Sequence, residues 1–178
     1  MDDIVKNQWL DQDDRRVSET IRRHGCCLEY VMPCDGDQFR SPFCYTIGLF
    51  GLGHPELLVY GLDQVSAAGL LNHLYRTVRD GRDLVPGELL EFAGHDESYL
   101  VEQVPNPGEI LFGANRHYER PMKASVGALQ LTWSVNGCFP WDAGYPDGPP
   151  SQPRPGEFSA LLADERDTGP CSCPRCLM

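Results

Sequence analysis

Two apolar runs separated by a short loop constrain the fold of this chain most strongly. The runs are FCYTIGL, residues 43–49, and LLVYGL, residues 57–62, and the loop before the second run reads GLGHPE, residues 51–56. Strands that are apolar on successive residues are typical of sheets covered on both faces. We therefore expect the two runs to form the central pair of strands in a covered sheet.

Helix signals lie on both sides of this pair of strands. An acidic N-cap at Asp11 and a stop at Gly25 predict a first helix over residues 12–24. A second cap at Asp63 begins the clearest helix in the sequence, and Gly81 ends it. Its apolar residues repeat at intervals of three and four, at Ala67, Leu70, Leu71, Leu74 and Val78. This stripe predicts that the second helix packs on the sheet.

Further segments have the composition of strands or of a short helix. CCLEYV, residues 26–31, is predicted to be a strand, and residues 89–93 and 99–104 are predicted to pair across a turn. Asn106 is followed by a proline and, two residues later, by a glutamate, which is typical of a capped helix start. We expect this third helix to end near Tyr118.

The segment 129–135 alternates without exception between apolar and polar residues. Leu129, Leu131, Trp133 and Val135 point one way, and Gln130, Thr132 and Ser134 point the other. Alternation of this kind predicts a half-buried strand. The sequence then becomes rich in proline and glycine. We therefore expect a single domain over residues 1–146, followed by an irregular extension over residues 147–178.

Length and charge exclude several classes of function. A chain of 178 residues is long enough for one domain with a substantial core. Its formal net charge of −11 opposes binding to nucleic acid, which requires a concentrated basic face. The acidic N-terminus lacks an apolar signal segment, and no stretch approaches the roughly 20 apolar residues of a membrane span. We expect a cytoplasmic protein that binds neither nucleic acid nor membrane.

Several motifs resemble a bacterial family named domain of unknown function 4262. They include YTIGL, the following His-Pro-Glu-Leu at residues 54–57, and the later QLTW and GCFPWDAGY, and the likeness covers about residues 15–152. The resemblance implies a small α+β domain with a mostly antiparallel sheet, which we expect to have about five to six strands and two to three flanking helices. Such a sheet could close into a barrel. The family brings no established reaction, cofactor or partner.

Two positions depart from the family pattern. Cys26 stands where an aromatic residue is common, and Asn136 stands where an acidic residue is typical. An acid at position 136 is therefore not essential in this chain.

The GLGHPE loop is the first candidate site. Proline restrains the backbone of the residue before it, so the His54 imidazole is held in a defined direction. Histidine can act as an acid, a base or a metal ligand, and Glu56 could orient it or relay a proton. His54 and Glu56 are therefore our candidate catalytic residues. The alternative is that His54 only binds a carbonyl of the loop.

Aromatic residues near the end of the last strand suggest a ligand pocket. Trp133, Phe139, Trp141, Asp142 and Tyr145 could wall a concave surface with one charge, or they could simply seal the end of the sheet. We predict that His54 faces a cavity shared with the WDAGY segment, residues 141–145. The predicted ligand-binding residues are Tyr45, His54, Trp133, Trp141, Asp142 and Tyr145.

The C-terminal sequence PCSCPRCLM has spacings that suit a soft metal ion. Cys171, Cys173 and Cys176 could supply three thiolates to zinc, whose usual tetrahedral site takes four ligands. Cys138 is the nearest other thiol along the sequence, and His24 or a residue of a second subunit would also serve. The alternatives are a redox-reactive tail and an end without a role.

Three functions therefore remain open. The leading hypothesis is a non-catalytic binding or regulatory domain for a small molecule or a protein partner. The second is an enzyme that uses His54 as an acid, a base or a metal ligand. The third is a zinc-binding or redox-responsive protein that acts through its tail. A homo-oligomer is compatible with each of them.

Overall fold

The computed structural model describes residues 3–33, 41–148 and 151–160. Three helices and six strands follow one another in the order α1 (Asp3–His24), β1 (Cys27–Val31), β2 (Phe43–Ile47), β3 (Glu56–Tyr60), α2 (Gln64–Arg79), β4 (Leu89–Glu91), β5 (Ser98–Gln103), α3 (Phe112–His117) and β6 (Ala128–Trp133). Single 3-10 turns lie at Phe50–Leu52, Pro107–Glu109 and Met122–Ala124.

The six strands form one open sheet in the order β1-β2-β3-β6-β5-β4. Every neighbouring pair is antiparallel except β3 and β6, which run parallel. The prediction of an α+β domain with a mostly antiparallel sheet is confirmed. A closed barrel is wrong, because β1 and β4 form the two edges of this sheet.

One face of the sheet is covered by α2. Alternate residues of the central strands, such as Leu57 on β3 and Leu131 on β6, form a single apolar cluster with the α2 stripe. Asp63 caps the helix as predicted, since its carboxylate accepts hydrogen bonds from the backbone N–H groups of Val65 and Ser66. The apolar stripe of the second helix therefore packs on the sheet as the sequence predicts.

The opposite face is covered by α1, α3 and residues 151–160, which we call the strap. Val17 of α1 and Leu111 before α3 pack with Leu58 of β3. The strap crosses the neighbouring part of this face. The Gln152 side chain accepts a hydrogen bond from the Trp133 N–H at 2.9 Å and donates one to the Trp133 carbonyl at 2.9 Å. The predicted extension over residues 147–178 thus contains a segment that is seated on the sheet.

The strap explains why β6 is not half-buried. All six residues of β6 are buried, including the polar Gln130 and Thr132. Gln130 donates a hydrogen bond to the Pro153 carbonyl at 2.7 Å, so its polar group is satisfied by the strap rather than by water. The prediction of a half-buried strand is wrong because alternation reports polarity and cannot reveal a distant segment that covers the polar face.

Two helices differ from their predicted bounds. The first begins at Asp3 instead of residue 12, so Asp11 lies inside it and is not its cap. The residues before Asp11 contain neither glycine nor proline, and nothing in them stops the helix from extending. The third helix is split into the 3-10 turn Pro107–Glu109 and the short α3. Asn106 makes no side-chain cap.

Candidate functional site

The GLGHPE loop is organised around the buried carboxylate of Glu56, which is 0% exposed. The Glu56 carboxylate accepts four hydrogen bonds: one from the Thr46 hydroxyl at 2.6 Å and three from the backbone N–H groups of Gly48, Leu49 and Phe50 at 2.9–3.2 Å. Thr46 lies in β2, and the three backbone donors follow β2 directly before the loop. Glu56 therefore ties the loop to the strand that precedes it.

Two opposing effects act on this carboxyl group. Burial raises the pKa of Glu56 above its ordinary value, and the hydrogen bonds from Thr46 and the three backbone groups act in the opposite direction. All four donors are satisfied by the two carboxylate oxygens. The geometry favours a structural role for Glu56, since its acceptor sites point into the protein and are already used.

His54 is also enclosed, with 3% of its surface exposed. Its Nδ1 lies 2.6 Å from the Pro55 carbonyl, and its Nε2 lies 3.1 Å from the backbone nitrogen of Leu84. A carbonyl can only accept and a backbone N–H can only donate, so Nδ1 donates to the Pro55 carbonyl and Nε2 accepts from the Leu84 N–H. Both nitrogens are engaged, and the prediction that the ring faces a cavity is wrong. The reason is the segment around Leu84, which closes over the ring.

The GLGHPE and WDAGY segments lie at opposite ends of the sheet. Glu56 opens β3 opposite Ala128, the first residue of β6, and the two strands are parallel. WDAGY begins eight residues after Trp133, the last residue of β6. The Tyr145 hydroxyl of WDAGY lies 3.2 Å from the Gln152 amide nitrogen, and Gln152 is bonded to the Trp133 backbone, so this segment lies near the end of β6 farthest from Glu56. The shared cavity predicted from the sequence is therefore wrong.

Two other predicted ligand-binding residues lie on opposite faces of the sheet. Tyr45 belongs to the face under α1 and α3, where its hydroxyl accepts a hydrogen bond from the Gly113 N–H at 3.1 Å. Burial raises the pKa of Tyr45. Trp133 belongs to the α2 face, and its indole N–H donates to the Tyr60 carbonyl at 2.8 Å. Both side chains are buried and bonded, so they do not line one site.

The remaining predicted residues form an exposed aromatic turn after β6. Trp141 is 42% exposed and stacks on Phe139 with ring centroids 5.0 Å apart and planes only 4° from parallel. Asp142 accepts a hydrogen bond from the Phe139 N–H at 2.7 Å, which holds the turn. The Tyr145 hydroxyl lies 3.2 Å from the Gln152 amide nitrogen and so contacts the strap. The turn therefore adjoins the strap.

An open groove of about 410 Å³ lies beside this turn, and we call it the Arg154 groove. Its lining residues come from the segment before β4, from β5 and from the strap, namely Pro86, Gly87, Leu100, Val101, Glu102, Gln103, Arg154 and Pro155. The Arg154 guanidinium lies 4.2 Å above the centre of the Trp141 ring and donates a hydrogen bond to Glu102 at 3.0 Å. The groove thus has an ion pair at its wall, in which the Arg154 guanidinium is oriented by Glu102 and Trp141.

A chain of hydrogen bonds from β6 also holds the Glu102 carboxylate in place. The second Glu102 carboxylate oxygen accepts from the Thr132 hydroxyl at 2.6 Å, and that hydroxyl accepts from the Gln130 amide at 3.1 Å. Glu102 therefore holds Arg154 while itself being held by β6. Sequence reasoning missed both residues. The signals available were an isolated arginine between two prolines and a glutamate that directly follows the apolar run Tyr-Leu-Val, residues 99–101.

The cysteines of the described part are free thiols. Cys26, Cys27 and Cys44 are buried, and Cys138 is half-buried. Burial raises the pKa of Cys26 and Cys44 to about 12, so both stay protonated and unreactive near neutral pH.

The predicted zinc site involves residues beyond the strap. Cys171, Cys173 and Cys176 lie outside the described residues. Residues 3–33, 41–148 and 151–160 contain no group of three metal-ligating side chains placed to hold an ion. Zinc binding by the tail with Cys138 stays a prediction.

Comparison with known proteins relates this architecture to a family. A family model described as Domain of unknown function (DUF4262) matches residues 20–146. The chain belongs to the DUF4262 family. The match contains the whole sheet, Glu102 and Trp141, whereas the strap with Arg154 lies beyond it. Thus the DUF4262 domain supplies most of the groove, and the strap completes it.

Other comparisons add no second relative for this DUF4262 member. Neither the curated proteins nor the solved structures contain a significant match to the chain. Among its described helices, none combines the length and the apolar character needed to cross a membrane.

Proposed function

We propose that this protein is a non-catalytic binding module that holds a small molecule in the Arg154 groove. The ligand has an apolar body and a hydrogen-bond acceptor, of which a carboxylate is the best match. The single observation that carries this proposal is the half-exposed Arg154 guanidinium, which is oriented by Glu102 and Trp141 at the wall of the groove.

The size and lining of the groove support a small ligand. Its volume of about 410 Å³ lies within the roughly 300–1,000 Å³ that is usual for small-molecule sites. Pro86, Leu100 and Pro155 offer apolar surface for the ligand body. The single cation would then fix the orientation of the ligand.

The bonding of Arg154 supports an acceptor group. Its terminal Nη2 donates to Glu102, and the guanidinium has further N–H donors in a planar fork. Such a fork matches a carboxylate better than an ammonium does. Stacking on Trp141 limits the motion of the guanidinium, so less side-chain entropy is lost on binding.

The enzyme hypothesis receives no support from His54. Both ring nitrogens are bonded within the protein, and the ring lies at the end of the sheet opposite the aromatic turn. We therefore assign no acid–base role to His54 or Glu56 in the proposed function.

The proposal is tested with hexanoate as the carboxylate probe and hexanamide as its uncharged analogue. Wild-type protein should bind hexanoate more tightly, as measured by calorimetric titration. Arg154→Ala should lose about tenfold or more of this affinity, since hydrogen bonds to charged groups contribute about 1.5–3 kcal/mol. Arg154→Lys should lose an intermediate amount, because it keeps the charge but not the fork.

Arg79→Ala provides a matched control. Arg79 also pairs with a carboxylate, that of Asp80, and also lies over an aromatic ring, that of Tyr75, but it lies on α2 away from the groove. Its replacement should leave hexanoate binding unchanged. Equal binding by wild type and Arg154→Ala, or no binding by wild type at tens of millimolar, would contradict the proposal.

A further inference from the structure

The end of the strap inserts an aromatic side chain between residues of the sheet. The Phe158 ring lies 5.5 Å from the Phe43 ring and 5.7 Å from the Tyr60 ring, both in edge-on geometry. The Phe158 carbonyl accepts a hydrogen bond from the Asn106 amide at 2.8 Å. Phe43, Tyr60 and Asn106 therefore wall a pocket that Phe158 occupies.

The wall of this pocket is more polar than its occupant. Among the residues that the structure describes, two buried side-chain oxygens have no hydrogen-bond partner, the Tyr60 hydroxyl and the Asn106 amide oxygen. Tyr60 is only 2% exposed. An unpaired buried polar group is costly and rare in native proteins. Both such groups belong to residues that contact Phe158, whose side chain has no polar atom to offer either of them.

The pocket and its occupant come from different parts of the chain. The three wall residues lie within the matched DUF4262 region, residues 20–146, and Phe158 lies outside it. The strap is anchored separately, through Gln152 and Pro153. Gly156, which has a φ of +91°, lies between these anchors and Phe158. The anchors of the strap are thus separate from the contacts of Phe158 with Phe43, Tyr60 and Asn106.

We propose that Phe158 occupies a binding site for an aromatic molecule that carries a hydroxyl group, such as a phenol. The ligand ring replaces the Phe158 ring against Phe43 and Tyr60, and its hydroxyl hydrogen-bonds the Tyr60 hydroxyl or donates to the Asn106 oxygen. Phe158 competes for the site and lowers its apparent affinity in the resting protein. This site is separate from the Arg154 groove and does not rest on the function proposed for that groove.

The direct test opens the pocket with Phe158→Ala in the full chain and titrates it with p-cresol and toluene. The two probes share the ring and methyl group and differ by the hydroxyl. Phe158→Ala should bind p-cresol about tenfold more tightly than toluene, and more tightly than the wild type does, because Phe158 no longer competes. A folded variant that binds neither probe, or binds both equally, overturns the proposal.

Tyrosine variants assign the preference to the wall of the pocket. Adding Tyr60→Phe to Phe158→Ala should reduce the preference for p-cresol. Adding Tyr99→Phe, which changes a buried tyrosine on the α2 face, should not. If Phe158→Ala does not fold, Phe158→Leu takes its place in the same titrations. Failure of both variants to fold would show that Phe158 is a core residue and would overturn the proposal.

A thermal melt of Tyr60→Phe alone gives an independent result. Removing a buried hydroxyl that lacks a partner should raise the melting temperature by about 2–4 °C in a chain of this length. A lower melting temperature would mean that the hydroxyl is already satisfied, and it would overturn the proposal even if Phe158→Ala bound p-cresol.

Discussion

The face of the sheet under α2 and the face under the strap are both buried, but by different means. Beneath α2 the strands present apolar residues, and the helix stripe closes over them. Beneath the strap, β5 and β6 present Glu102, Gln130 and Thr132, and an irregular segment closes over them through hydrogen bonds to Glu102 and Gln130. The α2 face is sealed by apolar area, whereas the part of the other face where the strap covers β5 and β6 is sealed by polar partners.

This difference predicts which face of the sheet can open locally. A regular helix packed on an apolar face opens only when much of the core opens, whereas a short segment held by a few hydrogen bonds can open locally. Both proposed sites adjoin the strap, at Arg154 and at Phe158. Binding sites are commonly drawn from the less stable parts of a fold, so the strap face is the better place for function.

The largest loss of stability is expected from a change on the α2 face. Leu74→Ala should destabilise the protein by about 2–5 kcal/mol, because Leu74 is 1% exposed and its truncation leaves a cavity against the sheet. Chemical denaturation measures the change. Val65→Ala, at an exposed position of the same helix, should change stability by less than about 0.5 kcal/mol. Similar values for the two variants would show that α2 does not seal this face.

The second-largest loss of stability is expected from a change at the end of the sheet where β3 begins. Glu56→Gln should cost about 1.5–3 kcal/mol, since the new NH₂ group faces backbone donors and cannot accept their hydrogen bonds. Glu19→Gln, at an exposed glutamate of α1, should have almost no effect on the denaturation midpoint. If Glu56→Gln leaves the denaturation midpoint unchanged, the conformation of the loop does not depend on the carboxylate.

The same carboxyl group should give the stability a pH dependence. Burial raises the pKa of Glu56, so within the window between its ordinary and its raised pKa the folded state binds more protons than the unfolded state. Stability should therefore fall as pH rises through that window. Glu56→Gln should lack this contribution, which appears as a difference between the two stability profiles measured from the ordinary pKa of glutamate upward. Parallel profiles would contradict the raised pKa.

Much of the fold could be predicted because its signals are local. The Asp63 cap and the spacing of apolar residues define α2, and the continuous apolar character of β2 and β3 indicates a sheet covered on both faces. The strap could not be predicted in this way. Its contacts join residues about 20 to 50 positions apart, such as Gln152 with Trp133 and Arg154 with Glu102, and no periodic pattern marks them.

The site predictions depended on how the two ends of the sheet are related. The sequence places GLGHPE and WDAGY next to strands but does not say that β3 and β6 are parallel neighbours. That register puts the two segments at opposite ends. Trp141 was found from its aromatic surroundings, whereas its cationic partner Arg154 lies 13 positions later in a proline-rich stretch that looked irregular.

The third prediction tests whether His54 has a structural or a functional role. His54→Ala should destabilise the protein by about 1–3 kcal/mol, because the Leu84 N–H and the Pro55 carbonyl lose their partner. It should leave hexanoate binding in the Arg154 groove unchanged. His95→Ala, at an exposed turn, is the control for stability. A stable His54→Ala variant with altered ligand binding would return His54 to the site.

The smallest global effect should come from the strap, and it tests the comparison of the two faces most directly. Gln152→Ala removes both hydrogen bonds to the Trp133 backbone, and we expect a global loss of only about 1–2 kcal/mol because the strap can open locally and admit water to the groups that lose their partners. The loss of stability within the strap itself should be larger than this global loss. Hydrogen exchange measured by mass spectrometry should speed up in residues 151–160 and stay unchanged in α2. Ser151→Ala, at the exposed neighbouring position, should alter neither region. If exchange rises equally in α2 and the strap, the two faces open together and the strap is part of the same cooperative unit as the core.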